Sequence, residues 1–328
     1  MKAAKEGDRA DVVARPGPLR LVEQPPPEAT AEKAKPVRLL KSDSVEDAAV
    51  CVFSAALDHF EANIPMFLSA RSAESVHQMR VALRRLRAAM GLFGKALAGE
   101  RLEMARTRAK ALGAVLGAAR NCDVFAVMLQ EGPGAALDGD RDFPKLMAAL
   151  AGRRAEAYRA ARDAVDGDET EAFLVDFRKT IAGRDWEPAP GAADEGSAVD
   201  FARVALTRLR KRALKKSRDL ATRTPQERHQ ARIALKKARY GAEFFASLFD
   251  PEDAERFTSR LARIQDGLGA FTDMTMAQRL LDEIGTDDGV SPQASGFVRG
   301  WFAHAAQDAV GHARKSEKRL KKLEPFWR

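Results

Sequence analysis

Two segments carry side chains whose types and spacing could do chemistry. Residues 76–93 read VHQMRVALRRLRAAMGLF, and residues 228–245 read RHQARIALKKARYGAEFF. Each holds a histidine, His77 or His229, followed by cations at helical spacing. These are Arg80, Arg84 and Arg87 in the first segment and Arg232, Lys236 and Arg239 in the second. At roughly 100° per residue they fall within a narrow arc of a helix. In the first segment Met79, Leu83, Leu86, Met90 and Phe93 form a neighbouring apolar arc. The stripe therefore abuts the seam that must be buried, where charge without a counter-ion is costly. Neither stripe carries an acid to neutralise it, Glu243 excepted. A bound anion would relieve that cost. Arginines can grip phosphate oxygens in bidentate fashion, lysines act as mobile point charges, and either histidine can donate a hydrogen bond. Arg85 and Lys237 lie round the other side of the histidine and are expected to be more exposed.

Other chemistries fit these residues less well. No carboxylate or thiol stands at i+3 or i+4 from either histidine, and the neighbouring cations repel a metal ion. There is no Gly-rich phosphate loop, no HExxH and no nucleophile-elbow serine. Asn121, Asp123, Asp266 and Asp273 could ligate a divalent ion. The plainer reading has them capping helices or pairing with local arginines such as Arg120. Further cations could line the same groove. Residues 203–218 contain eight Arg/Lys and no acid, with Arg208, Lys211, Arg212 and Lys215 on one face. Arg108 and Arg260 stand at equivalent positions of two similar stretches. The chain is basic again from His312 to Lys322.

Those equivalences come from one register. His77 and His229 are 152 residues apart, and so are Leu116 of LGAARNCDV and Leu268 of LGAFTDMTM. Two separate stretches at one offset point to a duplicated unit. The expected architecture is all-α: two pseudo-twofold-related four-helix bundles, each from one copy. The halves would cover about 44–182 and 199–328, with the Pro/Gly/acid linker 183–198 between them. Glu131–Pro144 and Asp282–Pro292 read as loops, and Pro225 and Pro251 as helix boundaries. Residues 1–43, with Pro16, Pro18, Pro25, Pro26, Pro27 and Pro36, read as a disordered tail. A formal charge of +8 over 328 residues favours acidic partners. Cys51 and Cys122 fit neither a zinc site nor a disulfide framework, which suits a reducing cytoplasm. No stretch approaches 18 uninterrupted apolar residues, so no membrane span is expected.

These segments resemble the signature helices of the conserved histidine α-helical domain, the CHAD family. LGAARNCDVF and IQDGLGAFTDMTMA resemble its second pair of signatures, and the terminal PFW its C-terminal end. The likeness runs from about Val45 to Trp327. It implies an all-helical fold with a central basic groove that binds inorganic polyphosphate, and association with polyphosphate granules in prokaryotes. Position by position, it implies ligands at His77, Arg80, Arg84, Arg87, His229, Arg232, Lys236 and Arg239, and it also covers Arg85, Lys237 and Tyr240. Asn121 and Cys122 depart from the family's acid-containing stretch after Arg120, and Ala238 stands where a leucine is usual. Many relatives add an N-terminal triphosphate-tunnel domain that hydrolyses short polyphosphates. The first 43 residues are too short for one and carry no ExExK, so that activity is not carried over. The expectation is a binder rather than an enzyme, with no cofactor. The alternatives are a binder of nucleic acid or another polyanion, then a metal-dependent phosphohydrolase.

Overall fold

The computed structural model describes residues 30–70, 72–136, 142–190, 196–285 and 290–328, without the side chains of 270–273, 306, 308 and 309. The chain divides at Thr30 into two units, and the second, Ala31–Arg328, holds every described helix. In chain order the helices are α1 (Val45–Glu61), α2 (Ile64–Ala70), α3 (Ala73–Phe93), α4 (Glu100–Glu131), α5 (Pro133–Ala136), α6 (Phe143–Val165) and α7 (Asp168–Gly183). There follow α8 (Ala198–Lys216), α9 (Pro225–Phe245), α10 (Pro251–Asp266), α11 (Gly269–Ile284) and α12 (Pro292–Lys321). The protein is all-α. Among the described residues the ladder is a two-residue antiparallel pair, β1 (Leu97–Ala98) with β2 (Glu187–Pro188).

Local chemistry sets the helix starts. Ser44 and Asp47 close a capping box on α1, and Thr224 and Glu227 close one on α9, where Pro225 opens the helix. Such a box satisfies two of the orphan N–H groups of a first turn. Pro251 likewise opens α10, behind Asp250 as N-cap.

The helix bounds repeat with the offset read from the sequence. Adding 152 to the limits of α3 (73 and 93) gives those of α9 (225 and 245). The same shift lays the single α4 over the pair α10 and α11, which part at Gly267–Leu268. It lays α6 within α12. Ser44 and Ser197, which cap α1 and α8, meet in an isolated bridge, so the two halves begin side by side.

A shared core joins the halves. Phe93 at the end of α3 stacks on Phe201 of α8 at 5.2 Å and meets its counterpart Phe245 of α9 edge-on at 6.0 Å. α3 packs against α1, α4 and α9, and α9 against α8, α10 and α11. A second apolar cluster, including Phe125, Leu146, Leu281 and Phe302, binds the far end of α4 to α6, α11 and α12. By length and composition α4 could cross a membrane, but 44% of its most apolar window is buried inside the protein. It is a core helix between α3 and α6.

Two expectations need correction. The tail does not run to residue 43: Val37 and Leu39 are buried in the main core. The Glu32 carbonyl accepts from Asn63 Nδ2 at 3.0 Å and lies 3.1 Å from His59 Nε2, and Leu39 N–H donates to Ser247 Oγ at 2.8 Å. Residues 32–43 thus form a strap from α1 to the end of α9, which their proline and charge content concealed. Residues 1–29 of the expected tail lie outside the described residues. The linker 183–198 is also partly structured, since it contains β2 and the N-cap of α8.

Candidate anion-binding site

α3 and α9 run in contact, and their basic stripes come together. The charged neighbours that act on Lys236 of α9 are Arg232 and Arg239 of its own helix and Arg80 and Arg84 of α3. Burial and these four like charges push the Lys236 ammonium down to about 7. Arg80 is pushed down to about 10 by burial and by Arg84 and Arg120. His77 is lowered by burial, with Arg120, Arg84 and Arg80 adding to the effect and Glu74 opposing it. His229, more exposed than His77, is lowered by burial and by Arg232 and Lys236. One field therefore covers His77, Arg80, Arg84, Arg120, His229, Arg232, Lys236 and Arg239. In that field burial and like charges disfavour the charged forms of Lys236, Arg80, His77 and His229, which makes the cluster a candidate functional site.

Hydrogen bonding inside the site is incomplete. The Nε atoms of Arg84 and Arg87 are buried and find no hydrogen-bond partner among the described residues. Buried donors are normally satisfied. Arg80 is held better: its Nη1 donates to the Gly113 carbonyl of α4 at 3.2 Å.

A second group lies along the same helices. Lys237 is lowered by burial and by Arg212 of α8, Arg106 of α4 and Arg87 of α3. Arg87 in turn is lowered by burial and by Arg106. Arg106 also borders a cavity of about 180 Å³ at the end of α3, lined in part by Met90, Gly91 and Leu102. Four helices thus contribute one cation each here.

The sequence reading needs correction at several residues. Arg85 is not more exposed than the stripe. It is 7% exposed, ion-paired with Glu243, with its guanidinium 5.1 Å from the Phe244 ring. It sits between α3 and α9 because Glu243, the lone acid of the second segment, points to it across the helix pair. Lys237 is half-buried rather than exposed. Tyr240 is 3% exposed, its ring lies within 5.4 Å of the Arg239 guanidinium, and its hydroxyl finds no partner among the described residues. It acts as a floor under the cations. Asp123 does not pair with Arg120; it accepts from Arg154 Nε at 2.7 Å and from the Tyr158 hydroxyl at 2.8 Å, a bond between α4 and α6. The side chain of Asp273 lies outside the described residues.

The outer cations divide. Arg212 joins the field around Lys237, and Arg120 that around His77. Arg208, Lys211 and Lys215 are exposed on α8, and Arg260 is exposed on α10. Arg108 faces Asp176 of α7 at 3.5 Å and belongs to another surface. The sequence reading missed Arg106, whose 152-offset partner is Thr258, so that a search for paired cations passes it by. It also missed Gly117, whose spacing of four from Gly113 was the available signal.

Known proteins resemble this chain in sequence family and in fold. The CHAD domain profile matches residues 51–282, more than two thirds of the chain. The crystal structure of the CHAD domain from the plant Ricinus communis superposes with a TM-score of 0.78 at 25% identity, covering 90% of this chain and 98% of that one. PptA from Streptomyces chartreusis shares the fold, with a TM-score of 0.63 at 17% identity over 84% of this chain and 99% of that one. A comparison with curated proteins finds no match. With its repeated histidine-led basic helices packed together, the chain belongs to the CHAD domain family.

Proposed function

We propose that this protein binds inorganic polyphosphate along the joined basic stripes of α3 and α9, and that it does so at polyphosphate granules in the cytoplasm. The observation that carries this reading is the convergence of four arginines from two helices on Lys236. Such a cluster is costly when empty and is relieved by a chain of anions. A linear polyanion with one charge per repeat suits cations spaced along two helices, since each further contact forms at high effective concentration. The protein holds its ligand rather than cleaving it: the neighbours of His77 and His229 are mostly cations, which grip phosphate oxygens without positioning a water. Tyr240 is the one aromatic in the stripes and it is buried, so the site lacks the stacking platforms that single-strand binders use.

A competition titration tests the proposal. Long-chain polyphosphate bound to the protein should resist displacement by single-stranded or duplex DNA at equal phosphate concentration. Displacement by either would overturn the assignment and favour nucleic acid. Release of orthophosphate with magnesium or manganese, abolished by His77→Ala and not by Arg84→Ala, would favour a phosphohydrolase.

A further inference from the structure

Arg80 lies across a bare patch of α4. A methyl group at Gly117 would collide with Nη1 of Arg80 and stand 3.3 Å from its Cζ and 3.7 Å from Nη2. One turn earlier, the Gly113 carbonyl accepts the bond from Nη1. The guanidinium thus rests where a side chain would normally be, with its end tied to the helix backbone. Helix interiors disfavour glycine by about 1 kcal/mol relative to alanine. A buried glycine in the middle of a 32-residue helix therefore calls for a reason, and the close approach of Arg80 supplies one.

We propose that Gly117 is a positioning residue of the anion site: its bare helix face seats the Arg80 guanidinium and aims it at the ligand. This rests on the polyphosphate reading above. An arginine free in solution samples many rotamers, and fixing it beforehand reduces what binding must order. The bond to Gly113 leaves the remaining N–H groups of Arg80 for a phosphate. The 152-residue offset sets Gly269 opposite Gly117 and Gln265 opposite Gly113, whose part in the seat is its backbone carbonyl.

Gly117→Ala is a clean probe. The atoms it would displace belong to the far end of a flexible side chain, so Arg80 should move while the helix stands. Gly152→Ala on α6 is the control, since a methyl there meets nothing within 4 Å. With long-chain polyphosphate as the probe, Gly117→Ala should weaken binding by about tenfold, and Gly152→Ala should leave it unchanged. In an Arg80→Met background Gly117→Ala should cost nothing further. Wild-type affinity in Gly117→Ala, or the same loss with and without Arg80, would overturn the seat. If the wild-type protein bound no polyphosphate, the functional reading would fail. The seat would then be decided by a crystal structure of Gly117→Ala: departure of Arg80 from the Gly113 carbonyl supports it, and an unmoved guanidinium overturns it.

Discussion

The two copies of the basic helix share their limits but not their electrostatics. On α3 every stripe cation is an arginine, and Arg80 is tied to Gly113 of α4. On α9 the central cation is Lys236, the group that its surroundings push furthest towards losing its charge, and Glu243 reaches over to Arg85 on α3. His77 is half-buried, whereas His229 is exposed. A repeated register can therefore place two cation rows together while giving them different work. The α3 row is built from arginine, the side chain that is hardest to deprotonate, and the α9 row holds, on Lys236, a proton that the ligand can secure.

The largest effect should come from the permanent row. Arg80→Ala combined with Arg84→Ala should weaken polyphosphate binding by roughly 2–5 kcal/mol, at about 1.5–3 kcal/mol for each charge-assisted bond less some rescue by neighbours. Isothermal titration gives the number. The fold should survive, because relief of like-charge crowding offsets lost packing. Arg232→Ala with Lys236→Ala should cost less at pH 7.5, since Lys236 there carries only part of its charge. Equal losses would erase the contrast between the rows.

Next comes the pair that crosses between the helices. Arg85→Met leaves Glu243 partly buried without its main partner, and should lower stability by about 3 kcal/mol in denaturant unfolding. Replacing Glu243 by Met as well should recover most of that loss. A loss of affinity without loss of stability in Arg85→Met would place Arg85 in the ligand site instead of the frame.

The pH response separates the rows further. Lys236 is faced by Arg232 and Arg239 on α9 and by Arg80 and Arg84 on α3. In the empty protein it holds its proton only below about 7, whereas an unfolded lysine keeps it to about 10.4. Between those limits the unfolded chain binds more protons, so the empty protein gains stability as the pH rises. A bound polyanion restores the ammonium, so binding takes up a proton and affinity falls as the pH rises above 7. The fall should reach up to about tenfold per pH unit. The two histidines, both lowered, act in the same direction at lower pH. Lys236→Arg should flatten the response above pH 7, and an unflattened profile would assign the proton elsewhere. The smallest effect belongs to Tyr240→Phe. It removes a buried hydroxyl without a partner among the described residues and should raise stability by at most about 1 kcal/mol, with affinity unchanged.

Much of this was legible in the sequence because helical periodicity and a fixed offset carry it. The helix class and the cations of each stripe follow from spacing, and Pro225 marks the start of α9. What escaped depends on contacts between elements. The strap 32–43 looks like a tail until Val37 and Leu39 are seen in the core. Arg85 looks like any other cation of its helix until Glu243 meets it from 158 residues away. Gly117 looks ordinary until Arg80 lies on it. Periodicity shows which face a residue occupies, but not which neighbour fills the space beside it.

The most direct test is a crystal structure of the protein soaked with polyphosphate. The expected result is continuous phosphate density between Arg80 and Arg84 on one side and Lys236 on the other. Density confined to the exposed cations of α8, with the space between α3 and α9 empty, would contradict the joined-stripe site.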